Sequence, residues 1–161
     1  MIKIPEKEGR LSAAKAAHIE AVIAFVKRKT EGYRRDLFAN ISRVMLVSGT
    51  FEDMSARDDW SWLSDFILAD VKTLKQMIGR PELLQFNEFK RMYSDYFSAG
   101  SDKYVDASTK YNAYMFIENL GVTICPYCDE EYLDVVENGN GGKLRTLEID
   151  HFFPKGKYPA L

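Results

Sequence analysis

From Leu11 to Leu120 the apolar residues recur at helical spacing. Ile19, Val22, Ile23 and Val26 form one stripe of a first helix. Ser12 can cap it, Lys27, Arg28 and Lys29 suit the dipole at its end, and Gly32 is the expected stop. Leu37, Ile41, Val44 and Met45 mark the inward face of a second helix, and Val47-Ser48-Gly49-Thr50 then breaks the period. A third, longer helix is predicted from Trp60, Leu63, Ile67, Val71, Leu74 and Ile78, closed by Gly79 and by Pro81 just beyond. Phe89, Met92, Tyr93 and Tyr96 predict a fourth, and Ser98 to Asp106 reads as a mobile connection. A fifth carries Tyr111, Tyr114, Ile117 and Leu120 and ends at Gly121. The aromatic residues of the last two helices could stack on bases, but aromatics at helical spacing are more often core.

At Gly121 the grammar changes. Val122-Thr123-Ile124 is short and β-prone, and Cys125-Pro126-Tyr127-Cys128 makes a tight knuckle. Tyr132 to Glu137 reads as a strand, Asn138-Gly139-Asn140-Gly141-Gly142 as a turn, and Leu144 to Asp150 as the returning strand. The expected fold class is therefore mainly α, of α+β type. A helical domain at residues 1–120 precedes a smaller β-rich portion at 121–161.

Composition narrows the class. The 161 residues suffice for one ordinary domain or a helical domain with a small appended module. No run approaches the ~20 apolar residues of a membrane span. The charged start, Met1-Ile2-Lys3-Ile4-Pro5-Glu6, lacks a signal core, so a cytoplasmic location is expected. Net charge is −2, which gives no global signature for nucleic acid. Residues 1–47 nevertheless hold ten Lys/Arg against five Asp/Glu, either a phosphate-facing surface or, as is more common, a solvated helix face.

Two constellations carry chemistry. Cys125 and Cys128, three positions apart, can grip one zinc ion from a tight turn, but a structural site needs four ligands. His18 and His151 are the remaining nitrogen donors. A redox reading stands beside it, since Cys-Pro-Tyr-Cys is also the active-site tetrapeptide of glutaredoxins. Against it, Asp129-Glu130-Glu131 would disfavour a thiolate, and the preceding region is helical.

The second constellation is Glu148-Ile149-Asp150-His151-Phe152-Phe153-Pro154-Lys155. Asp150 is a hard oxygen donor for Mg²⁺ or a related cation, and His151 can take a proton from an attacking water. Lys155 and Lys157 can pair with neighbouring phosphates. Alone, an Asp-His dipeptide is usually a histidine hydrogen-bonded at a strand end.

In combination, Cys125, Cys128, Asp150, His151, Pro154 and the tail Lys155-Gly156-Lys157-Tyr158-Pro159-Ala160-Leu161 resemble the HNH (ββα-metal) endonucleases. The nearest likeness is to the bacterial branch with a long helical amino-terminal region, found in Septu and certain retron systems. Within the helical part the likeness is one of character more than of residues. The resemblance implies a zinc-knuckle and β-hairpin portion of an HNH module. It also implies hydrolysis of DNA, with His151 as general base and Asp150 on a catalytic Mg²⁺ or Mn²⁺. Cys125 and Cys128 become half of a structural Zn²⁺ site. Some members of that branch are encoded beside an ATPase in anti-phage defence systems, so the same likeness permits an ATPase partner and such a role.

In that family an asparagine, a second strand, a helix with a further metal ligand and a second cysteine pair follow the point at which Leu161 stands. The expectation is a truncated module, inactive as an isolated chain unless a partner, or a homodimer sharing one zinc, completes it. Two rival functions remain: a non-catalytic interaction module with a structural knuckle, and a thiol oxidoreductase using Cys125.

Overall fold

The computed structural model describes residues 9–70, 72–73, 91–97, 103–121, 135–137 and 143–145. These are mainly helical: α1 (Arg10–Lys27), α2 (Glu31–Met45), α3 (Phe51–Ala56), α4 (Ser61–Ile67), a π-helical turn (Met92–Phe97) and α5 (Ala113–Leu120). A two-stranded antiparallel sheet, β1 (Val135–Glu137) with β2 (Lys143–Arg145), completes the description. Its register pairs Val135 with Arg145, Val136 with Leu144 and Glu137 with Lys143. The mainly helical character agrees with the hydrophobic pattern; of the expected hairpin, only the pairing of residues 135–137 with 143–145 lies among the described residues.

The described residues fall into two compact units. One holds those up to Ala21 and from Met92 onward; the other holds those between Val22 and Arg91.

In the second unit, α2 packs against α3 and α4. Leu37, Phe38 and Ile41 of α2, Phe51 and Met54 of α3, and Trp62, Leu63 and Phe66 of α4 are buried. Phe38 lies edge-on to Trp62 at 5.3 Å and beside Phe51 at 6.0 Å, a geometry that aromatic quadrupoles favour.

Several expected boundaries move, each for a local reason. α1 is rich in alanine, the strongest helix former, and starts at Arg10 rather than at a Ser12 cap. The Gly9 carbonyl already receives the Ala13 N–H at 3.0 Å, and Ser12 is exposed inside the helix. Ala14, Ala21, Val22, Phe25 and Val26 are its buried positions, while Ile19 and Ile23 are half-buried. Gly32 does not stop α1; it sits in the first turn of α2. There Thr30 is the N-cap, its side chain accepting from the Tyr33 N–H at 3.3 Å.

The break at Val47–Thr50 is present, and it leads into α3, which the hydrophobic spacing alone does not announce. Thr50 accepts the Asp53 N–H at 3.2 Å and donates its hydroxyl to the Asp53 carboxylate at 2.8 Å, a reciprocal cap.

The long third helix is interrupted. α4 ends at Ile67, and the Asp70 carboxylate accepts the Thr73 N–H at 2.7 Å, a cap that opens a separate helical turn. Its inward face is Trp62, Leu63 and Phe66, with Trp60 and Ile67 half-buried. Val71, Leu74 and Ile78 lie outside the described residues, as does Phe89.

The fourth helix is a π turn over its described part, with Met92 and Phe97 buried. The mobile connection is also corrected over residues 103–106. Val105 is fully buried, its N–H donates to the Tyr111 carbonyl at 2.8 Å, and the Tyr111 N–H returns to Asp106 at 3.0 Å. The fifth helix ends as expected, with Gly121 left-handed at φ 58° and its N–H on the Ile117 carbonyl.

Candidate functional site

Cys125, Cys128, Asp150, His151, Lys155 and Lys157 lie outside the described residues. What the structure describes between the two motifs is the antiparallel pair β1 and β2, which lies in the same unit as α5. The chain order is therefore cysteine pair, paired strands, then Asp150-His151.

The most chemically concentrated cluster among the described residues is built on His18. The Nδ1 atom lies 3.0 Å from the Tyr111 hydroxyl and Nε2 lies 3.2 Å from the Tyr93 hydroxyl. Phe97 meets the ring edge-on at 5.6 Å, and Phe116 is tilted at 5.8 Å. Four elements converge here: α1 supplies the histidine, the π turn Tyr93 and Phe97, the bridged loop Tyr111, and α5 Phe116. Desolvation lowers His18 from 6.5 to about 4 and pushes Tyr93 up to about 12. Burial, with a smaller contribution from Tyr93, pushes Tyr111 up as well. The ring is therefore neutral at physiological pH.

This arrangement settles the role of one candidate donor. A neutral imidazole has one N–H and one lone pair, and both are engaged by phenols. His18 is half-buried with both ring nitrogens engaged by phenols. By sequence alone it stands as a nitrogen donor beside His151. Its spacing from Ala14, Ala21, Val22 and Phe25, all buried on α1, is the signal that places it inward.

Of the aromatic positions expected as core, Tyr111 is buried, Tyr93 and Tyr114 are half-buried and Tyr96 is 38 % exposed, while Phe89 lies outside the described residues; Phe97 is buried beside them.

Two buried polar residues hold the backbone that leads to α5. The Asp106 carboxylate accepts from the Ser108 hydroxyl at 2.8 Å and from the Thr109 hydroxyl at 2.9 Å. Asn112 accepts the Tyr114 N–H at 3.0 Å and donates to the Lys103 carbonyl at 3.1 Å. Both are structural, and their contacts account for them. Among the described residues no group of three or more His, Cys, Asp or Glu is placed to hold a metal ion. No described helix is long and apolar enough to cross a membrane.

No family model, no curated protein and no solved structure matches this chain.

Proposed function

We propose that the chain carries part of a metal-dependent HNH-type endonuclease that hydrolyses DNA phosphodiester bonds. In this reading residues 1–120 form the helical body and 121–161 belong to the nuclease module. The observation that carries the proposal is the order of features after α5: a Cys-x-x-Cys pair, an antiparallel strand pair, and Asp-His-x-x-Pro.

The donor chemistry fits in kind. Asp150 offers the hard oxygen that Mg²⁺ or Mn²⁺ prefers, and Cys125 with Cys128 offers soft thiolates suited to Zn²⁺. The thiolates would be two of the four ligands a structural zinc takes, and the engagement of both His18 nitrogens by phenols argues against a third from there. Asp150 would hold a divalent cation, whose charge would offset the negative charge building on the scissile phosphate and the leaving oxygen. His151 takes the proton from the attacking water, since a neutral imidazole near its ordinary pKa is a competent base at neutral pH. Lys155 and Lys157 pair with flanking phosphates and hold the strand in register. A cytoplasmic setting, an ATPase partner and a place in anti-phage defence belong to the same proposal. So does completion of the zinc shell by a second copy of the chain.

The test is cleavage of plasmid DNA by the protein as its host makes it, with magnesium or manganese and with its natural companions. Cleavage is expected, and His151→Ala is expected to abolish it while far-ultraviolet circular dichroism stays unchanged. Intact nucleic acid under all these conditions, or full-rate cutting by His151→Ala, overturns the reading.

A further inference from the structure

We draw no further inference here: the strongest candidate, the pair of buried polar side-chain atoms on α2, Arg34 Nε and Ser42 Oγ, which have no hydrogen-bond partner, carries nothing because nothing in the structure shows what ligand or partner would reach them.

Discussion

The side-chain amide of Asn112 donates to the backbone carbonyl of Lys103 at 3.1 Å, nine residues back along the chain. The carbonyl of the same amide caps α5 by accepting the N–H of Tyr114. One fully buried residue therefore closes a loop and starts a helix. Asn112→Ala removes both functions. The expected loss is about 2 kcal/mol, about half from the cap and half from the buried loop bond. Asn112→Asp keeps the acceptor and lacks the donor, so its stability should fall between wild type and alanine. Denaturant titration of the three proteins checks the order.

Gly121 terminates α5 at φ 58°, and a Cβ there would run into the Arg10 side chain. Gly121→Ala is expected to destabilise by about 1 kcal/mol from the left-handed backbone alone. Displacement of the guanidinium adds to that. Arg10→Ala should relieve only the second part, so the double mutant should be less destabilised than the sum of the singles. A double-mutant cycle in urea measures the coupling. Strict additivity would show that the two residues do not meet.

Leu46 follows α2 in the same left-handed region, at φ 53°, with 87 % of its surface exposed. It bears the steric penalty of that conformation with little burial to offset it. Leu46→Asn, which tolerates αL, is expected to raise stability by up to about 1 kcal/mol. A lower thermal midpoint in the asparagine variant would contradict this.

Leu37 shows the opposite case. It is fully buried on α2, in the unit that holds Phe38, Trp62 and Leu63. Leu37→Ala should cost 2–5 kcal/mol, a range set by how far the surroundings collapse into the void (a typical span for such truncations). Tryptophan fluorescence should report the transition, since Trp60 and Trp62 lie in the same unit.

Long-period features were legible in the sequence. The helical character and the Gly121 stop follow from apolar spacing and turn chemistry. The shorter features were not. α3 depends on a reciprocal hydrogen bond between Thr50 and Asp53, and the end of α4 is followed by an Asp70 cap. An apolar count passes over both, because Ile67 and Val71 continue the helical spacing through the interruption. The inward side of His18 is legible in its spacing from Ala14, Ala21, Val22 and Phe25, but its phenol partners Tyr93 and Tyr111, 75 and 93 residues away, are not. For the proposed nuclease residues, the reading rests on residue type and order along the chain, from Cys125 to Lys157.

The π turn bears on how this protein can vary in length. Its wider winding lets Met92 and Phe97, five residues apart, both turn inward. Loss of a single codon between them would return the backbone to ordinary α winding without breaking the spiral. The two anchors would then be four residues apart, a spacing that an α-helix keeps on one face. Residues beyond the deletion would keep their phase, so homologues shortened here by one residue can retain the histidine at position 18.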